Sequence, residues 1–440
     1  MMAAPEDTPM MRQYRSLKAE HPKDILFFRL GDFYEMFEGD AVTASQLLGL
    51  TLTSRSKGED RTPMCGIPFH SAETYLKRLL AAGHRVAICE QMDNGSEGAG
   101  MMRREVVRVV TPGTVTEEGM LQPRANSWLA AAHPGADGRV GVAWADCSTG
   151  EFRLAEMPAT EVPDFLSGLG PAEILLSDAG EPALSEAFSR ALSLNVTPWG
   201  DWAFAPDASR RALLEHFRVS QLGAFGVEEF PAALQAAGAL LGYLKSTHPA
   251  ALAGLRTLSV ERRDGTVPLD RATLAGLEIL KASRSGGVEG SLLSVLDRTV
   301  TAAGARLLRR WVSAPLAQRA AILDRQEAVA RLVEDAKLRR ACRTALRTVY
   351  DLERLSARVA AGRANARDAL SISQSLETLP GLRAALLGAP GQLGTIREEL
   401  DPLEDLRALL ERALPPDPAL SLTEGGLLRD GFDPELDRMR

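Results

Sequence analysis

An apolar run that stops at a glycine is the feature that most constrains how this chain can begin to fold. Ile25–Leu30 (ILFFRL) has the composition of a buried strand, and Gly31 interrupts it. In the extended segment that follows (DFYEMF), side chains alternate between two faces, so Phe33, Glu35 and Phe37 share one face. The pattern predicts a strand that ends at Gly31 and a second extended segment directly after it.

Phe33 and Glu35 are the candidate functional residues of this segment. Where the segment is exposed, a ring and a carboxylate two residues apart can serve as an apolar wedge and a hydrogen-bonding group. Apolar wedges inserted between base steps from the minor groove kink DNA. A carboxylate repels phosphates, so Glu35 would have to act locally on a base. The alternative is that Phe33 packs in the core and Glu35 faces water.

Strand and helix patterns alternate over the first part of the chain, which indicates an α/β domain with a mixed sheet. Thr8 followed by Pro9 is a typical helix start, because the hydroxyl caps the helix and proline fits its first turn. Further helices are predicted over Asp40–Leu48 and Ser71–Ala82, and further strands over Leu50–Thr53, Val86–Glu90 and Glu105–Val110.

The pattern changes twice further along the chain. A second strand-rich part is followed by a long helical part, joined to it by an extended link at Leu258–Asp270. The strands of the second part are predicted at Trp128–His133, Val140–Cys147, Glu151–Leu154 and Glu173–Leu176, and its helices at Glu161–Leu169 and Glu181–Leu192. Helical spacing is predicted for Gly223–Lys245 and Asp324–Ala361.

Charge is distributed unevenly along the chain. The formal net charge is -7 at pH 7, which is not the basic footprint that is usual for proteins that bind nucleic acids. Residues 251–370 carry 22 Lys and Arg against 13 Asp and Glu, whereas residues 1–120 carry 14 against 17. Base contacts rather than charge would therefore have to give the first domain any specificity for DNA.

The remaining composition predicts a cytoplasmic protein without a membrane segment. Four scattered cysteines without C-x-x-C spacing indicate reduced thiols rather than disulfides or a zinc site. The six histidines are also dispersed. No apolar run reaches eighteen residues, and the N-terminus lacks a secretory signal pattern.

Several blocks of the sequence resemble the MutS family of bacterial DNA mismatch-repair proteins. In the first 120 residues these blocks are TPMMRQYRSLK, GDFYEMF, SQLLGLTLTSR, PMCGIPFH, YLKRLLAAGHRVAICEQM and REVVRVVTPGTVTEE. Ala272–Leu316, GRANARDAL at 362–370 and Leu427–Arg440 resemble the family's core region, the last of them the piece before its DNA clamp. The blocks occur in the order in which the family has them.

The resemblance implies a multidomain α/β plus all-α protein. Residues 1–120 would form a mixed-sheet α/β mismatch-recognition domain. Residues 121–250 would form an α/β connector domain with an RNase H-like fold. Residues 251–440 would form part of a helical core or lever domain that ends before the clamp. The chain would thus correspond to the N-terminal half of such a protein, without the clamp and ATPase domains.

In the family, a Phe-x-Glu pair reads the mismatch, and the matching positions here are Phe33 and Glu35. The resemblance therefore implies that Phe33 stacks on a mispaired base in the minor groove and that Glu35 hydrogen-bonds it. It also places Met64 close to the wedge. Other candidates for DNA contact or wedge support are Arg55, Lys57, Arg61, His70 and Arg108. For the three cations of 55–61, a solvated loop is the alternative.

The resemblance also bears on cofactors and partners. The full-length family is a homodimeric, DNA-dependent ATPase that uses ATP and Mg through a C-terminal domain. This sequence contains no Gly-Lys dipeptide and hence no P-loop, so we expect no ATPase activity and no cofactor here. The expected partners are duplex DNA with mismatches or small insertion/deletion loops, and repair proteins such as MutL through the connector. The expected location is the bacterial cytoplasm, in association with the nucleoid.

Two other functions compete with mismatch recognition. Asp146 lies where RNase H-like folds can carry a catalytic carboxylate, so a metal-dependent nuclease is one alternative, although no convincing acidic partner is evident. The other is an interaction scaffold of the repair machinery that has no mismatch discrimination in this chain.

Overall fold

The first structural unit is a mixed six-stranded sheet with helices on both faces. The computed structural model describes residues 8–54, 61–92, 102–135, 137–178, 188, 192, 194–419 and 424–440. Arg55, Lys57 and most of the predicted helix Glu181–Leu192 lie outside these residues. The elements of the first unit are α1 (Pro9–Glu20), β1 (Ile25–Leu30), β2 (Phe33–Phe37), α2 (Glu38–Leu48), β3 (Thr53–Ser54), β4 (Pro63–Pro68), α3 (Ala72–Ala81), β5 (Val86–Gln91) and β6 (Arg104–Val110).

The strand order of this sheet is β3-β4-β2-β1-β5-β6. Strands β1 and β5 are parallel, and the other neighbours are antiparallel, so the predicted mixed sheet is confirmed. The predicted start of α1 is also confirmed, since the Thr8 hydroxyl accepts a hydrogen bond from the Met11 amide at 3.3 Å.

Each face of the sheet is covered by different helices. On one face, Tyr34 and Met36 pack with Ala44 of α2 and Leu79 of α3. On the other face, Met11 and Tyr14 of α1 pack against buried side chains of β1, β2 and β5, namely Leu26, Phe28, Phe37 and Ala87. The alternation in DFYEMF therefore decides which side chains of β2 meet which helix layer.

The second unit is another mixed six-stranded sheet, in the order β11-β10-β7-β8-β9-β12. Strands β7, β8 and β9 are antiparallel, whereas β10 runs parallel to β7 and β11, and β12 runs parallel to β9. Its elements are β7 (Leu129–Pro134), β8 (Arg139–Asp146), β9 (Glu151–Pro158), α4 (Val162–Leu169), β10 (Glu173–Ser177), β11 (Val196–Trp199), α5 (Pro206–Phe217), α6 (Pro231–Thr247) and β12 (Ser259–Val260).

Helix α6 is rich in alanine and glycine because it lies very close to its neighbours. A Cβ atom at Gly141 of β8 would lie 2.0 Å from the backbone nitrogen of Ala233, and one at Gly238 would lie 2.3 Å from the Cα of Ser209. Side chains at these two glycines would push α6 off the sheet and off α5.

The rest of the chain is helical, as predicted. Its described helices are α7 (Arg271–Gly276), α8 (Leu292–Leu296), α9 (Ala302–Ser313), α10 (Arg319–Glu334), α11 (Ala336–Leu346), α12 (Leu352–Ala360), α13 (Ala366–Glu377), α14 (Leu379–Ala385), α15 (Gly391–Glu399), α16 (Glu404–Ala413) and α17 (Pro434–Met439). Among the described helices, none is long and apolar enough to cross a membrane.

Several details differ from the sequence-based expectations. Strand β4 was not among the predicted strands, and the strand expected at Leu50–Thr53 is found as the two residues Thr53–Ser54. The second sheet includes Ser259–Val260 and so extends past residue 250, where we placed the end of the connector. Strand β11 and helix α5 were not predicted.

Candidate nucleic-acid interface

One face of strand β2 is covered by α1 at the Phe37 end and is exposed at the Phe33 end. Phe33, Glu35 and Phe37 project from this face; Phe33 is 48% exposed, Glu35 is half-buried and Phe37 is fully buried. Tyr14 of α1 packs edge-on against Phe37, with 5.0 Å between ring centroids. The alternative in which Phe33 packs in the core is therefore wrong.

The strands on either side of β2 leave room around Phe33 and Glu35. In the sheet register, Phe33 lies between Leu30 and Pro68, and Glu35 lies beside Gly66. A Cβ atom at Gly66 would be 3.6 Å from Cγ of Glu35 and 4.0 Å from Cδ1 of Phe33. Because Gly66 has no side chain, this position of β4 does not cover the Phe33 ring or the Glu35 carboxylate.

The turn before Phe33 is fixed by long-range contacts. Gly31 adopts a φ of 58°, a left-handed conformation that favours glycine. The Arg29 guanidinium donates to the Gly31 carbonyl and lies 3.8 Å from the centre of the Phe69 ring. The Phe69 amide donates to the Asp32 carbonyl at 2.9 Å. These contacts hold the β1–β2 turn, and thereby the backbone that presents Phe33.

Tyr34 anchors the opposite face of the same strand. Its hydroxyl donates to the Glu90 carboxylate, and Arg29 lies 5.5 Å from its ring. Burial and the hydrogen bond to Glu90 raise the pKa of Tyr34 well above its usual value, so the hydroxyl keeps its proton. Sequence reasoning missed Arg29, Phe69 and Glu90 as supports, because they meet only when the sheet forms.

The other candidates in this domain lie at different places. Met64 pairs with Phe37 and is half-buried at the covered end of the face, where it packs with the cluster under α1. Arg61 and His70 are exposed, and the His70 ring lies edge-on to Phe69 at 5.9 Å.

Arg108 is not brought together with Phe33. It pairs with Ile88 in the register, which places it on the opposite face of the sheet from Phe33 and Glu35. Its guanidinium forms an ion pair with Glu117 and lies 3.4 Å from Nε2 of His248 in the second unit. Burial opposes ionisation of Glu117, but Arg108 and Arg363 lower the pKa of that carboxyl. Arg108 thus joins the two sheet units.

The Asp146 side chain forms hydrogen bonds within the second unit. Its side chain is fully buried and accepts hydrogen bonds from Asn126 Nδ2 at 2.8 Å, Ser148 N at 2.8 Å and Ser148 Oγ at 2.6 Å. Within the described part of the chain, no cluster of three His, Cys, Asp or Glu side chains could hold a metal ion. This geometry gives Asp146 a structural role and offers no support for the nuclease alternative.

Two mixed α/β units followed by a helical segment define a multidomain protein whose first sheet presents an exposed ring beside a carboxylate. Comparison with known families identifies each part. MutS domain I matches residues 8–119, MutS domain II residues 127–256 and MutS domain III residues 272–436. The chain belongs to the MutS family of DNA mismatch-repair proteins.

Curated relatives match nearly the whole chain. It is 44% identical over 437 residues to the DNA mismatch repair protein MutS of Myxococcus xanthus (strain DK1622), covering 98% of this chain and 49% of that protein. It is 43% identical over 442 residues to the MutS protein of Symbiobacterium thermophilum, covering 98% of this chain and 50% of the relative. The chain therefore spans about half the length of these relatives.

Proposed function

We propose that this chain recognises mispaired or unpaired bases in duplex DNA, with Phe33 as a minor-groove wedge and Glu35 as a hydrogen-bonding group for the displaced base. One observation carries the proposal: Phe33 is exposed beside Glu35 on a face whose other end is buried. Nearly half of the Phe33 side chain is open to solvent, and membership of the MutS family suggests DNA as the partner.

Discrimination in this proposal is largely mechanical. A mispair weakens the local stacking of bases, so kinking the duplex there costs less than at a Watson–Crick step. The inserted ring then occupies the space between unstacked bases. One wedge can detect many mismatches in this way, because its energy depends on DNA deformability rather than on the identity of a base.

Glu35, in contrast to Phe33, would contact the displaced base through a hydrogen bond. To hydrogen-bond an acceptor atom of a base, either the base or the carboxyl group must supply a proton. On a matched duplex no base is displaced towards Glu35, and its negative charge then only repels the phosphates. We therefore assign Glu35 a role in discrimination rather than in affinity.

The proposed partners follow from the same relationship. DNA with mismatches or small insertion/deletion loops is the substrate of Phe33 and Glu35. A contact of the connector with MutL, a homodimer and action in the bacterial cytoplasm remain predictions, as do DNA contacts of Arg61 and His70.

Fluorescence anisotropy at low salt tests the proposal. The chain is titrated onto a labelled duplex with one G·T mismatch and onto its matched homoduplex. We expect tighter binding to the mismatch and loss of that preference in Phe33→Ala. Trp202→Ala is the matched control, because Trp202 is an exposed aromatic residue on the second unit. Equal binding of the wild type to both duplexes would contradict the proposal and favour an interaction scaffold.

A further inference from the structure

A large cavity lies where the two sheet units and the helical segment meet. Its volume is about 1000 Å³, at the upper end of the range of small-molecule sites in proteins. Lys77 of α3 lines it from the first unit, Trp128 and Phe165 from the second, and Lys281 and Arg309 from the helical segment. It is separate from the face that carries Phe33 and Glu35, neither of which lines it.

The carboxylates that line the cavity already have partners. Glu151 accepts from Arg153 at 2.6 Å and from Arg310 at 2.7 Å. Glu353 forms an ion pair with Arg306, and Asp164 accepts from the backbone amide of Arg271 at 2.9 Å. Glu261 pairs with Arg153. Glu151, Glu261 and Glu353 are thus each paired with an arginine.

Three cationic side chains that line the cavity are not paired with these carboxylates. No hydrogen bond or ion pair within the described ranges involves the side chains of Lys77, Lys281 or Arg309. Lys77 and Lys281 are exposed, but Arg309 is half-buried, and burial lowers its pKa without an opposing effect from a carboxylate. A guanidinium withdrawn from water without a counter-charge is unfavourable, so an anion in the cavity would be stabilised by Arg309.

The remaining wall is apolar and partly aromatic. Trp144 and Phe165 pack against each other with 5.0 Å between ring centroids, and both line the cavity with Trp128. Aliphatic side chains complete this wall, among them Leu80, Leu121, Leu169, Leu274 and Val288. Phe165, Leu169 and Val288 keep exposed surface in this wall. An organic anion would cover that surface, and an inorganic anion would not.

We propose that the cavity binds a small phosphate-bearing organic anion with an aromatic body, of the nucleoside phosphate class, with its phosphate at Arg309. The planar guanidinium matches a phosphate in shape and can donate two parallel hydrogen bonds. The ligand would contact all three parts of the chain. It would therefore stabilise their arrangement by mass action. The proposal does not depend on mismatch recognition.

Titration of the chain with ADP, followed by calorimetry and by the emission of the tryptophans, tests this site. Pyrophosphate and adenosine are titrated in parallel, to separate the contribution of the phosphates from that of the aromatic body. We expect saturable binding of ADP, and weaker binding of pyrophosphate and of adenosine alone.

Arg309→Gln should weaken ADP binding by at least about tenfold, as expected for loss of a hydrogen bond to a charged group. Arg340→Gln is the matched control, because Arg340 is an exposed arginine of α11 that does not line the cavity. Lys281→Gln, at an exposed lining residue, provides a second test if Arg309→Gln does not fold. Equal binding of pyrophosphate and ADP, no saturable binding, or unchanged binding by both cavity variants would overturn the proposal.

Discussion

The rings of Phe33 and Phe37 project from the same face of one short strand, yet Phe33 is 48% exposed and Phe37 is fully buried. Tyr14 accounts for the difference, since its ring covers Phe37 and its hydroxyl donates to the Phe37 carbonyl at 3.0 Å. Phe37 therefore packs inside the domain, whereas Phe33 is accessible on its surface. Substitutions at the two phenylalanines should separate stability from DNA recognition.

Phe37→Ala should lower the free energy of unfolding by about 3–5 kcal/mol, the usual cost of removing a buried phenyl ring. Phe33→Ala should change it by less than about 0.5 kcal/mol, as is usual for exposed positions. Urea unfolding of both variants beside the wild type measures the difference. Equal losses of stability would mean that Phe33 packs against the fold in solution.

Removing the Glu35 carboxylate should weaken discrimination while strengthening binding to matched DNA. Glu35→Ala removes the repulsion of the phosphates on any duplex but also the bond to a displaced base. The ratio of the Kd for homoduplex to that for mismatch DNA should fall. Asp32→Ala is the control, because Asp32 is an exposed carboxylate in the turn between β1 and β2, close to Glu35. If Asp32→Ala lowers the ratio equally, the effect of Glu35 is general charge.

Glu173 joins the two sheet units, and its neutral isostere should weaken that junction. Its buried carboxylate accepts from the Thr111 hydroxyl at 2.5 Å and the Gly113 amide at 2.9 Å, and also from Tyr243 at 2.7 Å. In Glu173→Gln, an amide group faces these donors, so roughly 1–3 kcal/mol of unfolding free energy should be lost. Chemical denaturation measures it, with exposed Glu229→Gln as control. An unchanged midpoint would show that the junction contributes nothing.

His248 should make the stability of the chain depend on pH. Burial, together with Arg108 and Arg363, lowers the pKa of His248 to about 4 from its ordinary 6.5. Between these values the unfolded chain binds a proton that the folded chain does not, so stability falls as the pH drops through this window. The loss should approach roughly 3 kcal/mol at pH 4.

Urea unfolding at pH 7.5, 5.5 and 4.5 measures this dependence. His248→Gln should flatten the curve relative to the wild type, whereas His70→Gln, at an exposed histidine, should leave it unchanged. Parallel curves for the wild type and His248→Gln would show that this histidine does not govern the acid sensitivity.

Sequence patterns were enough to place the side chains of β2 on their faces, because alternation in a strand is local. They could not decide that Phe33 is exposed, since this depends on where Tyr14 of α1 lies above the sheet. Strand β4 was missed because Pro63, Gly66 and Pro68 weaken its strand pattern. The structure tolerates them in a strand with β2 on one side and only the two residues of β3 on the other.

The contacts between distant parts of the chain were beyond local reasoning. Arg108 was a candidate for DNA contact, but the structure pairs it with Glu117 and places it beside His248, 140 residues further along. Sequence reasoning also missed Arg29, although its contact with Phe69 supports the turn before Phe33. Such pairs depend on sheet order and domain packing, which hydrophobic periodicity does not encode.

The emission of 2-aminopurine placed beside a G·T mismatch reports whether Phe33 is inserted between the bases. This base analogue brightens when it is unstacked, and anisotropy on the same sample ensures that wild type and Phe33→Ala are compared at equal bound fractions. We predict a rise in emission on binding of the wild type and little rise with Phe33→Ala. An equal rise with both proteins would show that the bases unstack without Phe33 and would contradict its role as the wedge.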